Sequence, residues 1–381
     1  MTTTIHPNYN KSFGSNVYDI KTERHYLDFM NHYSSLALGY DRMPQGFYLD
    51  VTEVCHVKTA LGIYNPPPYI EFLKEFKEFA VPDGYTGIHF ACTGSLAVEA
   101  AIKTAWCYAH DMKRRIVTLR NNFHGLNGLG NFVTTRSVND TRLWGVPNAI
   151  WASDVSSLKQ LKEFVIQLRD DVAAVIIEPV QCTNGDIYYD EIFFKEVRQL
   201  CDDENVVLIF DEIQTGFGVT GKLWYHQHVG IEPDIIVFGK KAQVSGIMVK
   251  EKFNKIFKYP EKLSVTYDGE LIDCIRSKYI MREIKKRNLF QNMVEAGLQF
   301  LFALPKIENI KNVRGLGGLI AFDLESETER NIFQASCKEH GLLVNTAGEK
   351  TIRLRPHLAV TENEISNCIE IIKNVINKIY L

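Results

Sequence analysis

No stretch of the 381 residues approaches the about eighteen consecutive apolar positions that a membrane-crossing helix needs, although 45% of the chain is hydrophobic. Neither charge sign dominates. The 43 Lys and Arg against 46 Asp and Glu leave a net charge of -3, so the chain offers no basic field for nucleic acid. The eight cysteines, at 55, 92, 107, 182, 201, 274, 337 and 368, include no C-x-x-C pair; they read as reduced thiols and not as a disulfide framework or a zinc site. The opening stretch MTTTIHPNYNKSFGSNVYDIK lacks the apolar core of a signal peptide, and a cytoplasmic location is expected. His226 and His228 have no acid or cysteine cluster beside them in the sequence and are expected to be loop histidines, with no metal. What is present is a chain long enough to bury a large core, expected as one large and one smaller domain.

The most informative stretch is 206–248. Its two wholly apolar runs, 206–210 and 235–238, read as strands buried on both faces, as in a parallel sheet. The first runs into Asp211 and Glu212, the second into Gly239, Lys240 and Lys241. An acid and an amine therefore emerge at carboxyl ends of strands, where open α/β sheets bind ligands. A carboxylate and an ammonium are costly to bury without partners. An amine that forms a Schiff base, with an acid that keeps a pyridine nitrogen protonated, is the arrangement that holds pyridoxal 5'-phosphate, PLP. An ordinary α/β core with charged loop ends explains one acid or one lysine after a strand. It does not explain Asp211, Gln214, Thr215, Gly216 and Gly221 followed by PD-x-x-x-x-G-K.

Upstream, the Pro66-Pro67-Pro68 run is expected to bend the chain without forming a helix, within a loop over 44–70 that makes dimer contacts, and a helix should follow over 69–79. GIHFACTGSLAVEAAIKTAW reads as a strand, a Gly-Ser turn and a long amphipathic helix. Gly94 and Ser95 at that helix start offer free N–H groups and the positive dipole end to a phosphate; Ser95 acting only as a helix cap is the plainer alternative. Phe123 and His124 lie in a Gly-rich polar loop, RNNFHGLNGLGN, that belongs to no helix or strand face. GLNGLG is not G-x-G-x-x-G and is not expected to open a helix, so no dinucleotide site is read there. VAAVIIEPVQ delivers Glu178, and a helix over 191–203 completes a βαβ unit leading into Asp211.

DEIQTGFGVTG followed by PDIIVFGKK resembles the centre of the class III PLP-dependent aminotransferases, and FGKKAQVSG is most similar to the lysine 6-aminotransferase branch. The resemblance spans about 20–375. It implies an α/β chain of PLP-dependent transferase fold type I. A large domain over 44–275 would carry a mainly parallel seven-stranded sheet flanked by helices, and 1–43 with 276–381 would form a smaller α+β domain. It also implies a homodimer with the active site at the subunit interface, and an amine and a 2-oxo acid as partners. By the same resemblance Lys240 is the Schiff-base lysine, with Lys241 pointing to the other side. Asp211 pairs with the ring nitrogen, Gln214 touches the ring 3-oxygen, Gly94 and Ser95 take the phosphate, and Phe123 of the Phe123-His124-Gly125 step stacks on the ring. Glu178 supports the pyridinium end, Thr266 reaches the phosphate of the neighbouring subunit, and Arg353 clamps a substrate carboxylate through its bidentate fork.

Three departures bear on substrate. Thr183 stands where many members carry the glutamate of Q-G-E-G-G. Leu126 stands where the lysine branch has arginine, and Asp268, Gly269 and Glu270 replace Gly-Gly-Asn. Losing one charge-assisted hydrogen bond, worth about 1.5 to 3 kcal/mol, weakens carboxylate binding about ten-fold or more. These departures speak against a plain pairing of lysine with 2-oxoglutarate; the expectation is transfer of the terminal amine of a diamino acid such as lysine or ornithine, or of a related unusual amine, to a 2-oxo acid in a ping-pong cycle. Racemisation or decarboxylation on the same fold, and a non-catalytic relative, stay as alternatives.

Overall fold

The computed structural model describes residues 4–109, 113–135 and 152–380. The chain divides into two compact units. One comprises Gly46–Phe217 and Trp224–Met281; the other comprises Met1–Gln45, Gly218–Leu223 and Arg282–Leu381.

The first unit is built on a seven-stranded sheet in the order Tyr85–Ala91, Ser245–Lys250, Ile235–Phe238, Val207–Asp211, Val172–Ile177, Arg115–Leu119, Ala152–Val155. Ser245–Lys250 runs antiparallel to both its neighbours, and the remaining pairs are parallel. Every residue of Val172–Ile177, Val207–Asp211 and Ile235–Phe238 is buried, which is why these runs show no polar alternation. Asp211 pairs with Val237 in the register. The chain beyond Phe238 thus leaves the sheet at the edge where Asp211 stands.

Helix Gly94–Ala109 presents Ala97, Ala100, Ala101 and Ala105 to the sheet, in one core with Ile176, Ile209 and Val237. Such small side chains let the helix axis approach closely, so its first turn is set tightly against the strand ends. Helix Glu191–Asp203 begins where the Asp190 carboxylate accepts from Phe193 N at 2.7 Å, and it buries Phe193, Phe194, Val197, Leu200 and Cys201.

The second unit has an antiparallel sheet in the order Lys311–Leu316, Leu319–Asp323, Thr351–Leu354, Asn345–Ala347. It also carries a hairpin, Asn16–Asp19 with Arg24–Asp28, extended by Leu342–Leu343 in parallel. The short stretch 342–347 therefore serves two sheets, Leu342–Leu343 in one and Asn345–Ala347 in the other. After the hairpin, Asn31, His32, Tyr33 and Ser34 all have positive φ (51°, 47°, 57° and 73°), a left-handed turn whose entry Asp28 holds by accepting from Met30 N and Asn31 N.

Two expectations fail between residues 44 and 70, and a third beyond it. Pro67 and Pro68 open helix Pro67–Ala80: proline is tolerated in a first turn, whose N–H groups have no intrahelical acceptor in any case. Gln45–Val54 is also helical, tied down by the ring of Phe47 against Tyr279 and by Lys278 Nζ on Asp50 at 2.8 Å, contacts too distant in sequence to read there. GLNGLG does open a helix, Gly128–Val133, of only six residues. Among the described residues no helix is long and apolar enough to cross a membrane.

Candidate active site

Carboxyl ends of the central strands and the first turn of Gly94–Ala109 enclose a cavity of about 390 Å³. Eight of the ten residues singled out from the sequence line it: Gly94, Ser95, Phe123, His124, Glu178, Asp211, Gln214 and Lys240. Thr266 does not. It lines a second cavity of about 760 Å³ in the same unit, with Ile63, His89, Val265 and Asp268. Arg353 belongs to the other unit, in strand Thr351–Leu354, paired with Ala321 and Asn345. Asp268 accepts from Val265 N at 3.0 Å and stands 4.0 Å from His89 Nε2, so this unexpected acid closes its own loop.

Asp211, 5% exposed, has two partners: His124 Nδ1 lies 2.8 Å from Oδ2, and Ile213 N donates to Oδ1 at 3.2 Å. Its neighbour Glu212 faces away from this role. Its carboxylate accepts from Tyr225 N, His226 N and Thr215 Oγ1 and meets the His226 ring at 3.1 Å, pinning the ends of the following loop. His226 is thus the partner of a structural carboxylate and begins a short helix, His226–Val229.

Glu178 is held by Phe123 N, which donates to Oε1 at 2.7 Å. Burial pushes its carboxyl up to about 8, and the charge of Asp211 adds to this; the Phe123 and Cys182 N–H groups and the Lys240 ammonium oppose it. Lys240 follows Gly239 at the end of its strand with φ 49°, the left-handed region, which costs a lysine about 1 to 2 kcal/mol. Gln243 holds this turn, donating from N and Nε2 to Lys240 O at 2.7 and 3.0 Å. Lys241 is 2% exposed and does not line the cavity.

At the helix start Thr93, not Ser95, acts as cap: its carbonyl accepts from Ala97 N at 3.0 Å and its hydroxyl from Leu96 N at 3.4 Å. Ser95 is left to face the cavity. Gly125 sits against it at φ 114°, and a Cβ there would collide with Ser95 Oγ, so the aromatic-His-Gly loop can approach the helix start only with glycine at this position.

This arrangement fits PLP. A helix start with uncommitted N–H groups suits a phosphate, a buried and oriented carboxylate suits a pyridinium, and an amine lies on the same wall. Sequence reasoning missed Thr93, Val180, Ile213 and Ser245 among the lining residues, and Thr118, Asn122 and Thr134, which hold the His124 loop from behind. Only Thr118, a lone hydroxyl in the apolar run 116–119, carried a signal that could have found it.

A family model for class III aminotransferases matches residues 2–376. L-lysine-epsilon aminotransferase of Mycobacterium tuberculosis is 28% identical over 96% of this chain and 90% of its own length. Acetylornithine aminotransferase of Synechocystis sp. is 30% identical over 95% of this chain and 87% of its own. The solved structure of lysine aminotransferase from M. tuberculosis in the internal aldimine form superposes with a TM-score of 0.93 at 26% identity, covering 100% of this chain and 97% of that one. With the family model matched along nearly its whole length and the cavity built as described, the chain belongs to the class III aminotransferases.

Proposed function

We propose that this PLP-dependent aminotransferase moves the terminal amine of a diamino acid, such as lysine or ornithine, or of a closely related amine, to a 2-oxo acid in a ping-pong cycle. The observation that carries the reading is the convergence of Asp211, Lys240 and the Ser95 helix start on one cavity. The substrate class rests on relatives named for lysine and acetylornithine. When bound, PLP supplies a carbonyl that accepts the amine and a ring that takes up the electron pair of a broken C–H bond.

In this reading Gly94 and Ser95 hold the phosphate through backbone N–H and hydroxyl. Asp211 would accept from the ring nitrogen, Gln214 would bind the ring oxygen, Phe123 would cover the ring, and His124 and Glu178 would brace the pyridinium end. Lys240 Nζ is the covalent anchor. Its free amine would serve as the base that takes the proton from the carbon bearing the substrate amine and as the acid that returns it. Arg353 binds the substrate carboxylate. Thr266 serves the phosphate of the second copy in a homodimer. That assignment is supported by its separate cavity and by the exposed apolar residues of the same unit, Val57, Ile63, Tyr64 and Val265, with Ile63 as much as 81% exposed. Eight free cysteines fit a reducing, cytoplasmic setting.

The test is turnover with 2-oxoglutarate and a panel of L-lysine, L-ornithine, N-acetylornithine and simple monoamines, with both products quantified. Glutamate formed in step with loss of a terminal amine supports the proposal. A racemised or decarboxylated donor with the oxo acid unconsumed overturns it.

A further inference from the structure

Thr118 has 0% exposure, in a run of buried apolar residues, and a hydroxyl there must find partners. Its Oγ1 lies 3.2 Å from His124 Nε2 and 3.2 Å from Asn122 Nδ2. The chain of contacts continues both ways. His124 Nδ1 meets Asp211 Oδ2 at 2.8 Å, and Gln181 Nε2 lies 2.7 Å from both Asn122 Oδ1 and the backbone carbonyl of Arg120. All five side chains are buried, none more than 5% exposed.

That backbone carbonyl sets the direction of every bond. A carbonyl only accepts, so the Gln181 atom facing it is the amide nitrogen, and its second hydrogen goes to an oxygen, Asn122 Oδ1. The Asn122 amide is thereby oriented with Nδ2 donating to Thr118 Oγ1. Thr118 then has its own hydrogen left, and His124 Nε2 is the acceptor within reach. A ring that accepts at Nε2 carries its hydrogen on Nδ1, and donates it to Asp211.

We infer that Gln181, Asn122 and Thr118 are positioning residues that fix the tautomer of His124, so that Asp211 is held as a pure hydrogen-bond acceptor facing the cavity. Its consequence for catalysis rests on the PLP reading: an acceptor-only carboxylate binds a ring nitrogen only when that nitrogen carries the proton. Thr118, Asn122 and Gln181, none of which lines the cavity, thereby bear on the electronic state of the group bound there.

The test uses nitrogen-15 NMR of histidine-labelled protein without cofactor, with His124→Asn to assign the signal. The expected wild-type state has the proton on Nδ1. Thr118→Val, which keeps the shape but donates nothing, should mix the two tautomers, and Thr118→Ser should restore the wild-type signal. With PLP bound, Thr118→Val should lower kcat about two- to ten-fold, the size of one hydrogen bond, with the amine's KM unchanged. It should also shift the pH midpoint of the cofactor's absorbance, and Thr118→Ser should leave both at wild type. A proton on Nε2 in the wild type, or the same tautomer in Thr118→Val, overturns the inference. Failure to bind PLP would instead sink the cofactor reading, and the cofactor-free spectra would still decide the relay.

Discussion

Glu178→Gln should change how the stability of the cofactor-free protein depends on pH. Glu178 carries its proton in the folded state up to about 8, against an ordinary value of 4.5. Between those values the native state binds more protons than the unfolded chain, so this group's contribution is fully present below 4.5 and is lost as pH rises through about 8. The slope is at most about 1.4 kcal/mol per pH unit, and the whole span is worth a few kcal/mol. Glutamine reproduces the protonated carboxyl, and its amide oxygen can still accept from Phe123 N. The variant should therefore match the wild type near pH 4.5 and grow progressively more stable than it toward pH 8. The assay is the difference in thermal midpoint between the two proteins at half-unit steps of pH, together with the infrared carboxyl band that glutamine removes. A difference that stays flat with pH, or a carboxyl band already absent at pH 6, would refute the account of Glu178 as a desolvated acid.

Gly125→Ala should weaken PLP binding at least ten-fold while the fold is retained, because φ 114° and the Ser95 hydroxyl leave no room for a methyl group; a fluorescence titration of PLP reads this directly. Asp211→Asn should cost three or more orders of magnitude in turnover, with the cofactor still taken up, since a neutral amide supports a protonated ring far less well; comparison of kcat with bound-cofactor absorbance separates the two effects. Asp190→Ala removes the cap that accepts from Phe193 N and should cost about 1 kcal/mol without altering the cavity; a drop of a few degrees in thermal midpoint at constant activity is the expected pair of results.

The sheet was legible where burial is complete. Runs 206–210 and 235–238 are apolar at every position because both faces are covered, and that pattern alone marks Asp211 and Lys240 as strand-end residues. Local chemistry misled where tertiary contacts decide. The three prolines read as a bend yet open a helix, and Gln45–Val54 is helical through contacts with residues more than 200 positions away, Lys278 and Tyr279. The relay behind His124 left almost no trace, because asparagine, glutamine and threonine are ordinary surface residues until folding buries them together. The left-handed turn Asn31–Ser34 contains no glycine, the usual signal for positive φ.

Lys240 as the covalent anchor of PLP is tested by the absorbance spectrum of purified protein incubated with PLP, wild type beside Lys240→Ala, before and after adding a diamino acid. The wild type should show a band between about 400 and 430 nm that moves toward about 330 nm with the amine, and Lys240→Ala no such lysine-dependent band. A wild type that forms no band, or a Lys240→Ala protein that forms the same band and responds to the amine as the wild type does, would contradict it.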